Sequence, residues 1–163
     1  MTTRRQFLRA GALFGTAALL PVLRTGRTEA ANTGNFEISL SEEEWRARLT
    51  KAQFNVLRRE KTERPFTSPL LNEARAGTYD CAGCGLPLYP SRTKYDSGTG
   101  WPSFYAPLDN AIGTRPDRKL LVVRTECHCR RCGGHLGHVF DDGPQPTGKR
   151  HCINGVALTF TPA

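Results

Sequence analysis

Four cysteines constrain this chain more than any other feature. They fall in two pairs of identical spacing, Cys81 with Cys84 in CAGC and Cys129 with Cys132 in CRRC, with 45 positions between Cys84 and Cys129. Two thiolates separated by two residues can grip one metal ion from a single tight turn, and zinc takes four such soft ligands as a tetrahedron. Gly83, Gly85, Gly133 and Gly134 supply turn-permissive backbone beside the pairs. Six cysteines in a small exported protein also fit a disulfide framework with fifteen pairings, and a lone CxxC fits a redox dithiol. Two CxxC pairs in one small domain favour a structural Zn²⁺ site of Cys81, Cys84, Cys129 and Cys132. Such a site ties distant stretches of chain together, so its binding energy becomes folding energy.

The first residues read as an address rather than as structure. Arg4 and Arg5 open a basic stretch, an uncharged run follows from Ala10 to Leu23, and small residues lie at Ala30 and Ala31. The run is shorter than the roughly 20 residues a membrane span needs. Adjacent arginines before Phe7 and Leu8 resemble a twin-arginine export signal. The expectation is therefore a signal peptide over residues 1–31 and a mature domain over 32–163. The mature protein would be periplasmic or exported, with no stable membrane insertion after cleavage. Export by this route carries folded cargo, so the metal would be loaded while the thiols are still reduced.

Removing residues 1–31 leaves 132 residues, enough for one domain with its own core. The whole chain carries a formal charge of +8, but the leader holds five arginines and one glutamate, which leaves +4 downstream. No stretch combines clustered Lys and Arg with interleaved aromatics, so a nucleic-acid partner is not expected.

Ser41 and Glu44 form a capping box ahead of Trp45, Leu49, Ala52 and Val56, whose spacing predicts one amphipathic helix fading near Arg59. Pro65 and Pro69 exclude a long helix thereafter. From Tyr79 onward Gly and Pro recur between short apolar runs, of which LLVVRTEC from Leu120 and INGVALTF from Ile153 are the best strands. The fold class expected is mainly β: a small antiparallel β-sheet domain with one or two N-terminal helices, stapled by the four-cysteine zinc site.

Cys127 and Cys152 remain outside the pairs. Alternation along a strand would put Arg150, Cys152 and Asn154 on one face, and a guanidinium beside a thiol favours the nucleophilic thiolate. HLGHVF places His135 and His138 near a turn, with Asp141 and Asp142 following. Together these residues suit attack on an electrophilic centre with proton donors at hand. Singly, each also has an ordinary role as a buried small hydrophobe or a satisfied polar group.

The stretches TERPFTSPLLNE, GTYDCAGCGLPLY, DSGTGWPSFY, RCGGHLGHVFDDGP and RHCINGVAL, in that order, resemble the B-type methionine sulfoxide reductases over about residues 40–160. The resemblance implies reduction of the R epimer of methionine sulfoxide, with proteins or peptides bearing oxidised methionine as substrates. It implies Cys152 as nucleophile, becoming a sulfenic acid, and His138 as the acid that protonates the sulfoxide oxygen. Asp142 and Arg150 belong to the catalytic set it implies. Trp101 would receive the substrate methyl group, with His135, Phe140 and Asn154 completing the binding shell. The family zinc ligands fall on Cys81, Cys84, Cys129 and Cys132.

Two positions depart from the family pattern. Thr99 stands where many members carry a resolving cysteine, and Gly155 stands where a serine is common. Cys127 is the candidate alternative resolver, or else a buried strand residue. The favoured expectation is a monomer regenerated by a thioredoxin-like or other external thiol. A zinc-ribbon binding module would explain the four paired cysteines but not Trp101, His138 and Cys152. A thiol–disulfide oxidoreductase would need a CxxC free of metal.

Overall fold

The computed structural model describes residues 35–119 and 121–163. The signal peptide expected over 1–31 lies outside the described residues.

Where one helix was expected there are two, α1 (Glu42–Arg48) and α2 (Lys51–Leu57). Each begins with a capping box, Ser41 with Glu44 and Thr50 with Gln53. The second box is the signal that the apolar spacing hid. Thr50 is extended, its hydroxyl accepts from the Gln53 amide, and its own amide donates to the Gln53 side chain 3.0 Å away. The break turns the apolar face. Trp45, Leu49, Phe54, Val56 and Leu57 are buried, whereas Ala52 is exposed.

Among the described residues nine strands form two antiparallel sheets. The smaller has the order β2 (Pro87–Pro90), β1 (Gly77–Cys81), β9 (Leu158–Pro162). The larger runs β3 (Lys94–Tyr95), β4 (Ser103–Phe104), β8 (Arg150–Ile153), β7 (His135–Phe140), β6 (Arg124–Cys129), β5 (Ile112–Asp117). The mainly β, antiparallel architecture with N-terminal helices is thus the one observed. Tyr89 stacks on Phe104 at 4.4 Å between ring centroids, and Tyr79 meets Phe104 edge-on at 5.0 Å, so aromatic rings join the two sheets.

Both strand expectations need correction. Leu121, Val122 and Val123 are exposed, and the strand starts only at Arg124. Apolarity alone suggested a longer strand, but these residues cap the β5–β6 hairpin and meet no core. The run from Ile153 is not one strand either. A short 3₁₀ turn over Gly155–Ala157 separates β8 from β9. The turn carries the chain from the larger sheet to the smaller one, which a single strand could not do. Among the described residues no helix is long and apolar enough to cross a membrane.

Candidate active site and metal centre

The two cysteine pairs fold as copies of one turn. In the first, the Cys81 amide donates to the Leu86 carbonyl (2.8 Å) and the Gly85 amide to the Cys81 carbonyl (2.7 Å). In the second, the Cys129 amide donates to the Gly134 carbonyl (2.9 Å) and the Gly133 amide to the Cys129 carbonyl (2.8 Å). Gly85 and Gly133 both sit in the left-handed region, at φ of 69° and 67°. The turns face each other, with Cys81 and Cys132 sulfurs 3.7 Å apart and those of Cys84 and Cys129 3.5 Å apart. All four ligand atoms lie within 4.8 Å of one another, so the cluster could hold a metal ion. A tetrahedral ion at about 2.3 Å from each thiolate would space the sulfurs by about 3.8 Å, so the donor set fits. Leu57 packs near Gly83 and Gly134, and Arg58 donates to the Cys132 carbonyl (2.9 Å), so α2 lids the cluster.

On the larger sheet, strand register lines up a row of residues directly opposite one another: Arg115, Glu126, His138, Cys152, Ser103 and Tyr95. Opposed residues share a face, so Cys152 lies between His138 and Ser103. Asp117 opposes Arg124, and Phe140 opposes Arg150, in a second row. HLGHVF is itself a strand, β7, directly after the second cysteine turn. A regular strand would send His135 and His138 to opposite faces. The register shift between Cys127 and His128 inserts an extra residue on β7 and brings both rings to one side, 5.4 Å apart.

A cavity of about 160 Å³ opens over this face, lined by Thr62, Trp101, Arg124, Gly137, His138, Phe140, Cys152 and Asn154. That is below the roughly 300 Å³ at which pockets for drug-sized ligands begin, and suits a single side chain. A Cβ at Gly137 would run into the Cys152 carbonyl, so only glycine allows β7 and β8 to close here.

The chain matches the SelR domain family over residues 49–162. It is 56% identical over 121 residues to peptide methionine sulfoxide reductase MsrB of Pseudomonas putida (strain W619), covering 74% of this chain and 91% of the relative. It is 51% identical over 134 residues to the MsrB of Leifsonia xyli subsp. xyli, covering 81% and 96%. The chloroplastic peptide methionine sulfoxide reductase B1 of Oryza sativa subsp. japonica is 50% identical over 125 residues, covering 76% of this chain and 58% of the relative. The chain belongs to the SelR family of B-type methionine sulfoxide reductases, and it is an oxidoreductase.

In this SelR domain the residues singled out from sequence separate into three groups. Trp101, His138, Phe140, Cys152 and Asn154 line the cavity. His135, Asp142 and Arg150 stand one step behind. His135 Nδ1 pairs with Glu126 at 2.8 Å, and Arg150 makes two 2.8 Å bonds to Asp142 while lying 4.4 Å over the Phe140 ring. Cys127 stands apart. It opposes Gly137, which opposes Ile153, so it faces the side of the sheet away from Cys152. It is fully buried, 3.3 Å from the Tyr89 hydroxyl, and burial pushes its thiol up to about 12. Two strand spacings of about 4.8 Å separate Cys127 from β8, beyond the roughly 7 Å between Cα atoms that a disulfide tolerates. The structure does not bring Cys127 to Cys152.

Three further residues were not legible in the motifs. Asp117 Oδ2 accepts from His138 Nε2 (2.8 Å) and from Arg124 (2.6 Å), fixing the imidazole from 21 positions away. Glu126 does the same for His135 and pairs with Arg115. Glu63 serves four partners. Its carbonyl accepts from the Trp101 indole (3.0 Å), its amide donates to Asn154 Oδ1 (2.8 Å), and its carboxylate accepts from the Gly155 amide (2.7 Å) and the Val156 amide (3.3 Å). The departure at Gly155 also has a reason. Ser68 fills the space that a side chain there would need.

Burial raises the Cys152 thiol above its ordinary value, although Thr99 and Arg150 act to lower it, Arg150 in the direction expected. Arg150 is shared with Asp142, whose own charge opposes the thiolate. Burial likewise lowers His138 despite the Asp117 carboxylate. Burial also opposes the charge on Asp117, but the Lys119 amide, His138 and Arg124 together hold its carboxyl well below the usual range.

Proposed function

We propose that this enzyme reduces the R epimer of methionine sulfoxide in proteins or peptides through Cys152. The observation that carries the reading is the placement of Cys152 opposite His138 inside a side-chain-sized cavity walled by the Trp101 indole. The indole offers an apolar wall for the substrate methyl group, and His138 lies on the side where the sulfoxide oxygen would accept a proton. Fixing methyl and oxygen separately distinguishes one epimer from the other.

The reaction balances without an outside proton. The Cys152 thiol and the sulfoxide yield a Cys152 sulfenic acid and methionine, the substrate sulfur gaining two electrons and Cys152 losing them. In this mechanism His138 starts neutral, with its Nε2 paired to the Asp117 carboxylate. It takes the thiol proton as the sulfur attacks and passes it to the departing oxygen. Two external thiols then restore Cys152, releasing water and a disulfide. The remote position of Cys127 favours a thioredoxin-like or small-molecule thiol acting directly on Cys152.

We further assign the four-cysteine cluster to structural Zn²⁺, since an all-thiolate tetrahedral donor set is characteristic of that ion. Zinc there would join the two turns and take no part in the reaction. Residues 1–31 are proposed as a twin-arginine signal that delivers residues 32–163 as a monomer to the periplasm, where the enzyme repairs oxidised exported proteins. N-terminal sequencing of the periplasmic fraction tests this, and a cytoplasmic, uncleaved chain would oppose it.

Turnover of separated R and S epimers with dithiothreitol tests the central reading. Reduction of the R epimer alone is expected, and equal rates for both would overturn it. Dimedone capture on Cys152 after one equivalent of substrate is expected without reductant, whereas a Cys127–Cys152 disulfide would show internal resolution.

A further inference from the structure

Three hydroxyl groups behind the reactive thiol have no part in the chemistry described so far. Cys152 Sγ lies 3.9 Å from Thr99 Oγ1, which lies 2.8 Å from Ser97 Oγ. Ser97 Oγ lies 2.7 Å from Ser103 Oγ, and Ser103 Oγ lies 3.1 Å from the Trp101 carbonyl. Ser103 is fully buried and directly opposes Cys152 in the sheet.

Each hydroxyl owns a single hydrogen, and a carbonyl only accepts. Ser103 must therefore donate to the Trp101 carbonyl. Its hydrogen being used, the contact with Ser97 requires Ser97 to donate, and by the same step Thr99 donates to Ser97. No hydroxyl hydrogen then remains for the contact with Cys152, so the thiol itself must donate to Thr99. The chain has one direction, and it runs from sulfur to carbonyl.

We propose that Thr99, Ser97 and Ser103 form a reversible hydrogen-bond chain that keeps Cys152 a hydrogen donor at rest and, when all three hydroxyls turn, supplies a donor to the sulfur once its own hydrogen has left. This rests on Cys152 being the reacting thiol. In the turned state Thr99 donates to the sulfur, Ser97 to Thr99 and Ser103 to Ser97, while the Trp101 carbonyl gives up its side-chain donor. No covalent bond in the chain is broken or made, since only O–H groups rotate. The thiol proton leaves through His138, as in the reaction above. The lost carbonyl bond works against ionisation and adds to the effect of burial. The three residues are positioning residues, because they act on substrate only through the sulfur.

Other polar groups face Cys152 from every side: Arg150 and its partner Asp142, Tyr95 from β3, His138 from β7, and Arg124 from β6 across the cavity. Hydroxyl variants leave all of these in place. The test is the pH dependence of iodoacetamide alkylation at Cys152 in the metal-loaded protein, followed by the mass of the Cys152 peptide. Ser97→Ala removes the acceptor that occupies the Thr99 hydrogen, freeing Thr99 to donate to the thiolate while Ser103 stays on the carbonyl. Its alkylation midpoint is expected to fall by roughly one pH unit. Thr99→Val removes the donor altogether, and its midpoint is expected to rise by about as much. Thr99→Ser should keep the wild-type midpoint. A purely packing role would move the first two variants the same way. Any order other than Ser97→Ala below wild type and Thr99→Ser, with Thr99→Val above, overturns the proposal. Alkylation does not require sulfoxide reduction, so failure here is separable from failure of the epimer assay.

Discussion

The cysteine cluster and the candidate catalytic face are built in opposite ways. Each half of the cluster is a local turn, closed by its own amides and a left-handed glycine, and tertiary structure has only to bring two such turns together. No part of the catalytic face is local. Trp101, Asp117, Arg124, Glu126, His138 and Cys152 come from four strands and a loop, and register alone places the strand residues. A centre made of short motifs can serve as scaffold. A centre made of register can be tuned residue by residue, but only while the scaffold holds.

The sharpest way to break this division is to change one sulfur in each region. Cys152→Ser should lower sulfoxide reduction by more than ~10³-fold. Bound metal, by atomic absorption, and the thermal midpoint should stay at wild-type values. Residual turnover near wild type would remove the mechanism.

Cys132→Ser should do the reverse in kind, reducing bound metal and lowering the thermal midpoint by roughly 10 °C or more. Activity should fall only as the folded fraction falls. A variant without metal that melts with the wild type would show that the cluster is not a scaffold.

A change within the register tests the finer half of the comparison. Asp117→Asn should lower kcat by about tenfold, since His138 loses the charge that orients it. It should also shift the pH profile. Burial already lowers His138, and Asp117 is the chief group raising it. Without that charge the imidazole takes up its proton only at lower pH, and since the mechanism starts from neutral His138, the acidic limb should move to lower pH. An unmoved limb would separate Asp117 from proton transfer.

The smallest effect is expected where neither centre is touched. Thr50→Ala removes the cap of α2 and should cost about 1 kcal/mol of stability, read by urea unfolding. Its activity at 25 °C should be that of wild type, and a larger loss would mean that α2 reaches the catalytic face.

How much of this was legible follows from the same contrast. The CxxC pairs, their glycines and the Ser41 box carry their geometry in a few adjacent residues, so they could be read directly. Asp117, Glu126 and Glu63 carry no motif of their own, and each acts on a partner 9 to 92 positions away. The apolar spacing predicts one helix because a periodicity running through Thr50 masks its cap.

The sequence alone specified a β-rich domain with two thiol turns, a candidate nucleophilic cysteine and a flanking tryptophan and histidine. Turn chemistry, capping and alternation act over a few residues, and strings of residues record them. Only the tertiary structure decided which face each residue occupies. The bulge on β7 put His135 beside His138, and pairing across three strands put Cys127 on the far side from Cys152. The 3₁₀ turn after Asn154 passed the chain from one sheet to the other. A strand's side chains alternate with a period of two, so one inserted residue reverses everything beyond it. Such an insertion is visible only once the partner strand is in place.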